Sequence, residues 1–503
     1  MGPVPALEDR ATACAKRLLA ADSVLLASHI DADGLTSAAV AASMLERAGL
    51  PFEVAFKKQL DATEIASIAA TEYETVLFTD FGSGQLDDIA KHEQAGDFEP
   101  VIADHHQPAD VDTEYHINPL LEGLNGASEL SGAGAAYCLA RAMAEYGGGP
   151  ADQPTAATDG GASAATGSPL APVEGTLADP HPENKDLAAL AVVGAVGDMQ
   201  ASGGELIGAN EGIVAEAVEA GVLEEGTDIS LYGKQTRPLP KLLEYASEVR
   251  IPGVSNDQAG AIRFLEGLDV PLKKDGDWLT WADLSSEHRQ TVASALVQRA
   301  VKRGVPAHKI DSLVGTTYEL CAEPTGTELR DASEFSTLLN ATARYERADV
   351  GLGVCLGDRE SALERARTLL ANHRRNLSEG LQLVQQEGVT HEENVQWFDA
   401  GDRIRETIVG IVAGMALGTD GVDPNKPIVA FAAKNEEETK GSGRGTGSLV
   451  GQGLDLSVVL GEAARSVDGD GGGHDIAAGA TVPTGREAAF IEAADDLIAE
   501  QLG

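Results

Sequence analysis

Short apolar runs alternate with amphipathic segments along the first 145 residues of the chain. The apolar runs SVLLAS, FEVAF, TVLFTD and PVIADHH are typical of buried β-strands. The segments between them, SAAVAASMLERAG, DATEIASIAA and LDDIAKHEQAG, have the spacing and end residues of helices. This alternation predicts βαβ units that form a parallel sheet.

The pattern changes twice along the rest of the chain. Residues 147–183 are rich in Gly, Ala, Pro and Thr and nearly free of large apolar side chains, which predicts a disordered insertion. The predicted fold class is α/β, with an N-terminal parallel-sheet domain, a helical linking region and a smaller C-terminal α/β domain. The predicted boundaries are 1–215, 216–329 and 330–503.

Four apolar runs of the N-terminal part end in side chains that bind metals. Since ligands bind at the carboxyl ends of strands in open parallel sheets, we expect these side chains to meet in one crevice. Any one of them alone would be read as a helix cap or a surface turn, but their recurrence favours a site. The groups are His29, Asp31 and Asp33; Asp80; Asp104, His105 and His106; and Asp198.

A pocket with five carboxylates requires cations to neutralise them. The mixture of carboxylates and imidazoles favours Mn²⁺, with Mg²⁺ or Co²⁺ as alternatives. The number of ligands predicts two ions, about 3.5 to 4 Å apart, that activate a water for phosphoester hydrolysis.

The ordered motifs resemble those of the DHH phosphoesterase superfamily. They are the D-x-D-G sequence, a strand-end Asp, the D-H-H sequence and a later G-D. Together with GASELSGAGAAY and the C-terminal GGGHDIAAGA, they are most similar to archaeal RecJ-like single-strand exonucleases. The resemblance implies a DHH catalytic domain followed by a C-terminal DHH-associated domain that binds the substrate.

The resemblance also implies roles for individual residues. Those at the metal-binding motif positions are Asp31, Asp33, Asp80, His105 and Asp198, and those that complete the catalytic signature are Asp104 and His106. Many family members carry a histidine four residues before the first Asp of D-x-D. Here that position is Ala27 and the histidine is His29, so the motif leaves a metal-ligand role for His29 open.

Two glycine-rich segments of the C-terminal part are candidates for substrate binding. KGSGRGTGS predicts a small-residue loop that presents Arg444, whose guanidinium can bind a phosphate through two hydrogen bonds. GGGHDIAAG places Gly472, Gly473 and His474 together, and glycines let backbone N–H groups approach phosphate oxygens closely. The resemblance implies the same role for both segments.

The leading functional hypothesis is therefore a metal-dependent exonuclease that acts on single-stranded DNA or RNA from an end, in replication or repair. A second is a phosphodiesterase of short oligonucleotides or cyclic dinucleotides. A third is a mainly structural RecJ-like subunit of the replisome, with helicase or GINS-type partners.

The composition of the chain predicts the cellular environment in which the protein works. The formal net charge is −43, from 80 acidic and 37 basic residues spread along the chain, which is typical of a halophilic cytoplasmic protein. Four scattered cysteines fit a reducing compartment. The absence of a long apolar run argues against a membrane partner. Any nucleic acid must be held by local basic groups, backbone amides or bound cations.

Overall fold

The computed structural model describes residues 2–111, 113–147, 181–201, 204–246, 249–419 and 421–503. It divides into two compact units, Met1–Arg367 and Thr368–Gly503. The insertion predicted at 147–183 lies outside the described residues, except for position 147 and positions 181–183.

A five-stranded parallel sheet forms the centre of the first unit. Its order is β2-β1-β3-β4-β5, and the four predicted strands are β1 to β4. Every residue of β3 is buried, as is nearly all of β1 and β4, because helices cover both faces of a parallel sheet. The strands are β1 (Val24–His29), β2 (Phe52–Lys57), β3 (Thr75–Thr79), β4 (Glu99–Ala103) and β5 (His116–Ile117).

Seven helices accompany this sheet in the described part of the first 219 residues. Three of them, α2, α5 and α6, pack closely on one another through Ala and Gly positions. The seven are α1 (Glu8–Leu19), α2 (Ala32–Arg47), α3 (Ala62–Ala69), α4 (Leu86–Ala95), α5 (Gly132–Tyr146), α6 (Ala188–Gly197) and α7 (Ala209–Glu219).

The structure corrects the predicted conformation of the apolar run before Asp198. We expected it to be a strand, but it is helix α6, and Asp198 is the C-cap of that helix. Residues 188–195 are all buried because α6 packs against α2, α5, α7 and a later helix, α12 (Ala332–Arg344), at once. A helix that is apolar on every face gives no helical period, so the sequence pattern does not separate it from a buried strand.

The middle of the chain has its own hydrophobic core, centred on Trp281 and the leucines of α8 and α10. It confirms the predicted helical region. Strand β6 precedes this region in the sequence and β9 follows it, and the two strands pair in antiparallel orientation. Its elements are β6 (Leu223–Ile229), α8 (Leu239–Glu244), α9 (Gln258–Glu266), β7 (Lys273–Lys274), β8 (Asp277–Trp278), α10 (Ser286–Lys302), α11 (Ala307–Asp311) and β9 (Val314–Leu320).

Residues 330–367 differ from the predicted division of the chain. We placed them at the start of the C-terminal domain, whereas the structure groups them with the first unit. The cause is packing: α12 (Ala332–Arg344) contacts α2 and α6, and α13 (Ala348–Cys355) contacts α2.

The second unit contains a mixed six-stranded sheet, which confirms the predicted C-terminal α/β fold. Its order is β10-β11-β12-β13-β15-β14, and hydrophobic clusters cover both faces. Helix α14 (Ser361–Glu387) includes the boundary between the units. The other elements are β10 (Thr390–His391), β11 (Gln396–Asp399), α15 (Glu406–Ala416), β12 (Ile428–Ala433), β13 (Glu438–Arg444), α16 (Gly447–Val450), α17 (Leu456–Arg465), β14 (Asp470–Gly473), β15 (Ala477–Pro483) and α18 (Glu487–Leu502). None of the described helices is long and apolar enough to cross a membrane.

Candidate metal centre

The D-A-D-G turn joins β1 to α2 and fixes two carboxylates. Asp31 is the N-cap of α2, and its side chain accepts a hydrogen bond from Gly34 N at 3.0 Å. Position 34 must be glycine, because a Cβ there would lie 2.3 Å from the backbone oxygen of His29. The same turn puts Asp33 in the first turn of α2, where it is buried.

The N-terminus of α5 binds the carboxylate of Asp33. Gly132 N donates to Oδ2 at 2.7 Å and Ala133 N donates to Oδ1 at 3.0 Å. The unpaired amides and the dipole at a helix N-terminus stabilise such an anion. The glycine-rich start of α5 therefore orients Asp33 across 99 residues of sequence.

Asp80 follows β3 in the left-handed backbone conformation, with φ of +59°. A non-glycine residue in this region costs about 1 kcal/mol or more and often marks a functional position. Its Oδ2 lies 3.4 Å from His29 Nδ1, and its Oδ1 lies 3.3 Å from His105 Nε2. Gly132 makes room for it, because a Cβ at 132 would lie 2.5 Å from Asp80 Oδ1.

His105 follows β4 and presents one ring nitrogen to the carboxylates. Its Nδ1 lies 2.8 Å from Gly126 O, which can only accept, so Nδ1 carries a proton. In the neutral ring Nε2 then offers a lone pair, 3.3 Å from Asp80 and 3.7 Å from Asp33. Asp198, at the end of α6, brings Oδ2 to 3.7 Å from Nδ1 of the same ring.

The donor set fits divalent cations. Buried polar side-chain atoms rarely lack a hydrogen-bond partner, yet three in this cluster have none among the described residues: His29 Nδ1, Asp80 Oδ1 and His105 Nε2. Their ligand atoms fall into three clusters whose members lie within 4.8 Å of one another. The clusters are His29, Asp31 and Asp80; Asp33, His105 and Asp198; and Asp80, Asp104, His105 and His106.

The pKa shifts within the cluster also favour a cation site. Burial and the nearby charges of Asp80 and Asp198 raise the pKa of Asp33 well above its usual value. Burial also raises the pKa of Asp198. Burial alone would lower the pKa of His105, but the carboxylates of Asp80, Asp33 and Asp198 raise it well above 6.5. Without cations, bound protons therefore reduce the negative charge of the cluster. Bound cations would neutralise that charge in their place.

His29 forms a pair with Asp31 at the more exposed edge of the cluster. Its Nδ1 lies 3.2 Å from Asp31 Oδ2. Burial would lower the pKa of His29, but Asp31 and Asp80 raise it to about 11, and the pairing in turn lowers the pKa of Asp31 despite burial. Although the motif position itself is Ala27, the structure places His29 among the candidate ligands.

Asp104 and His106 occupy a different position from the other signature residues. Asp104 is fully buried; it accepts from Ser83 N at 2.9 Å and from His105 N at 2.7 Å. Its Oδ1 also lies 2.8 Å from His106 Nδ1. Burial would raise the pKa of Asp104, but its bond to His106 lowers it. This carboxylate orients the D-H-H turn, while the side chain of His106 remains 57% exposed.

The sequence analysis did not identify Gln200 and Asn210, whose hydrogen bonds support the candidate ligands. Gln200 Nε2 donates to Asp198 Oδ2 at 3.0 Å and to Gly126 O at 2.9 Å, the same oxygen that His105 contacts. Asn210 Nδ2 donates to Gln200 Oε1 at 2.7 Å. The only signal was a glutamine two residues after the Asp of the G-D motif.

The second unit holds the predicted substrate-binding residues. The first five residues of the segment predicted as a loop belong to strand β13, and Arg444 is the last residue of that strand. Arg444 lies against α15, where a Cβ at Gly410 would be 2.5 Å from its Nη2. Gly472 and Gly473 belong to the edge strand β14, and His474 forms the tight turn to β15, with its N–H bonded to Ala477 O at 2.9 Å.

Three family models match the chain. The DHH family N-terminal domain matches residues 23–159, the DHH-CID domain matches 231–314, and the DHHA1 domain matches 393–500. Together with the sheet and the metal-binding cluster at its edge, these matches define the class. The chain belongs to the DHH superfamily, a family of nucleases and phosphoesterases, and has a RecJ-like fold.

Several known proteins are similar to this chain in sequence or in fold. An uncharacterized protein of Methanocaldococcus jannaschii is 28% identical over 485 residues, which cover 94% of this chain and 93% of that protein. RecJ of Thermus thermophilus in complex with Mn²⁺ has a TM-score of 0.57 at 16% identity. This chain is covered to 99% but spans only 55% of that RecJ. CDC45 of Entamoeba histolytica has a TM-score of 0.61 at 10% identity, covering 98% and 97% of the two chains.

Proposed function

We propose that the protein is a metal-dependent exonuclease that hydrolyses the phosphodiester bonds of single-stranded DNA or RNA from an end. The observation that carries this proposal is the convergence of Asp33, Asp80, His105 and Asp198 at one edge of the sheet, with buried ligand atoms that lack hydrogen-bond partners. This arrangement suits a phosphoester substrate, whose negative charge requires cations in so acidic a pocket.

The proposed ligands of two ions are the residues at the metal-binding motif positions, Asp31, Asp33, Asp80, His105 and Asp198. His29 is added because its ring nitrogen lies in a cluster with Asp31 and Asp80. When bound, the ions, Mn²⁺ or else Mg²⁺ or Co²⁺, supply positive charge to the phosphate and make a water more acidic. Asp80 faces both histidines, so its carboxylate would help to hold both ions. Asp104 holds the ring of His106 so that the exposed side of that ring faces the substrate.

The second unit offers local groups for a phosphate backbone, as a protein of charge −43 requires. Alternation along β13 puts Lys440, Ser442 and Arg444 on one face. Opposite them in the register, Gly479 pairs with Ser442 and Gly472 pairs with Gly479, so the edge of the sheet carries almost no side chains there. The exposed backbone of Gly472 and Gly473 is therefore open to phosphate oxygens, with His474 exposed nearby. The guanidinium of Arg444 is half-buried and donates one hydrogen bond to Gly443 O at 2.7 Å, and its remaining N–H groups are the proposed charged donors to a phosphate.

The test is digestion of end-labelled single-stranded DNA and RNA at high salt, with Mn²⁺ and Mg²⁺ compared. We expect stepwise shortening from one end, and faster cleavage of a 40-mer than of a 3-mer. Preference for the 3-mer would favour a phosphodiesterase of short oligonucleotides instead.

The matched variants are Asp80→Asn and Asp87→Asn. Both remove one negative charge, but Asp87 is an exposed residue of α4 outside the cluster. We expect Asp80→Asn to abolish turnover, since this carboxylate faces both histidines, and Asp87→Asn to retain it. Wild-type turnover in Asp80→Asn at saturating Mn²⁺ would rule out the proposed centre.

The similarity to CDC45 favours a second candidate, a subunit of the replisome. Retained candidate ligands are compatible with a protein that both cleaves and docks. Co-purification of helicase or GINS-type proteins with the full chain, also with Asp80→Asn, would support this role.

A further inference from the structure

Met199 is the most exposed large apolar side chain in the described part of the protein, at 74%. Both of its neighbours are held in place: Asp198 belongs to the metal-binding cluster, and the buried Gln200 is hydrogen-bonded to it. The backbone of Met199 is therefore held directly beside a candidate ligand, and its side chain is exposed to solvent there.

The backbone of Met199 is unusual for such a residue. Its φ is +61°, in the left-handed region. Met199 N donates to Val196 O at 3.1 Å and Gln200 N donates to Ala195 O at 3.0 Å, which is the hydrogen-bond pattern of a Schellman helix end. Glycine normally occupies this position, because a Cβ is disfavoured there. The chain thus keeps a large apolar side chain where the backbone disfavours one and where it adds little to the core.

We propose that Met199 packs against the base of the nucleotide whose phosphate is bound at the metal centre. This inference rests on the proposed function, and it adds a residue that positions the substrate. A phosphate at the cluster places its own sugar and base within a few ångströms, and a polarizable, unbranched thioether makes favourable contacts with a flat ring. Because it offers no specific hydrogen bond, the contact tolerates any base, as nonselective degradation of a strand requires.

The experiment measures binding of fluorescein-labelled 12-mers by anisotropy, with Mn²⁺ and cleavage-resistant phosphorothioate linkages at both ends, and gel analysis after each measurement confirms that the strands are intact. One oligonucleotide is intact, and two carry an abasic nucleotide at one end or the other. We expect Met199→Ala to weaken binding of the intact strand about twofold to tenfold. With the base removed at the end that enters the site, the same substitution should change binding much less, because the two losses concern one contact.

Two further variants test whether the effect of Met199→Ala depends on the position and on the apolar character of this side chain. Val301→Ala removes another exposed apolar side chain of the first unit, on α10, away from all candidate ligands in sequence, and should leave binding of all three strands unchanged. Met199→Leu should restore part of the affinity, since it restores apolar contact. Equal losses for intact and abasic strands in Met199→Ala would overturn this inference alone. A wild-type protein that neither binds nor cleaves any of the strands would overturn the proposed function, and this inference with it.

Discussion

Gln200 determines how Asp198 is presented to the cluster. Asp198 follows the last turn of α6 with 30% of its side chain exposed, and Gln200 is buried beneath it. One amide group holds the carboxylate and also binds Gly126 O, which receives Nδ1–H of His105. Two candidate ligands on distant segments are thereby linked through a single side chain.

We predict that Gln200→Ala weakens the binding of Mn²⁺ by about tenfold to a hundredfold, the usual loss when a partner of a metal ligand is removed. The carboxylate of Asp198 would become free to rotate, and Asn210 would lose its acceptor. Titration calorimetry with the full chain measures the affinity. Gln298→Ala, at an exposed position of α10, is the matched control. Equal affinity in both variants would contradict the role of Gln200.

Individual ligands were predictable because carboxylates and imidazoles at the ends of apolar runs are local patterns. Asp31, Asp80 and His105 each follow a run that forms a strand, so strand direction alone brings them to one edge. The residues that orient them were not predictable. Gln200 acts through Gly126, 74 residues earlier, and only the packed structure shows that pairing.

Helix α6 packs closely against α2 and α5 because a glycine stands where the three helices meet. A Cβ at Gly194 would lie 2.5 Å from Ala133 Cβ, from Thr36 Oγ1 and from Asp33 Oδ1. The close contact of these helices therefore depends on a glycine in the interior of α6, although glycine lowers helix propensity. Asp198 is in reach of His105 only while this contact is kept.

We predict that Gly194→Ala destabilises the first unit by about 1 to 3 kcal/mol, the range for overpacking a filled core, and lowers the affinity for Mn²⁺. The added methyl group would push α6 away from the carboxylate of Asp33. Thermal unfolding and metal titration measure the two effects. Gly267→Ala is the control, since a Cβ there meets its nearest atom only at 3.4 Å. A stable Gly194→Ala protein with normal affinity would refute the packing argument.

The same helix shows why element types were harder to predict than ligands. The run LAVVGAVGD ends in Asp198 whether it is a strand or a helix, and Asp198 lies in the cluster although the predicted element was wrong. A fully buried segment carries no alternation of polar and apolar positions, and only its neighbours decide its conformation.

The division of the whole chain depends on contacts that a linear pattern does not contain. Residues 330–367 look like the beginning of another domain, but Phe335 and Leu339 of α12 are buried in the first unit. The parallel sheet, the helical middle region and the C-terminal α/β unit were all predictable, because each has its own apolar pattern. The assignment of a connecting helix to one unit or the other follows from which core covers its apolar face.

The acidity of the molecule makes its stability depend on salt. The formal net charge is −43, so acidic groups repel one another across the molecule. The Debye length, over which such repulsion acts, is about 10 Å in 0.1 M salt and falls to about 3 Å at 1 M. We predict that raising KCl from 0.1 to 2 M increases the midpoint of thermal unfolding by about 5 to 10 °C, which corresponds to a few kcal/mol of relieved repulsion. CsCl should act alike, because screening depends on ionic strength, while sucrose at equal osmolality should act less. A midpoint that stays constant or falls in KCl would contradict adaptation to a salty cytoplasm and would favour an acidic surface made for a basic partner.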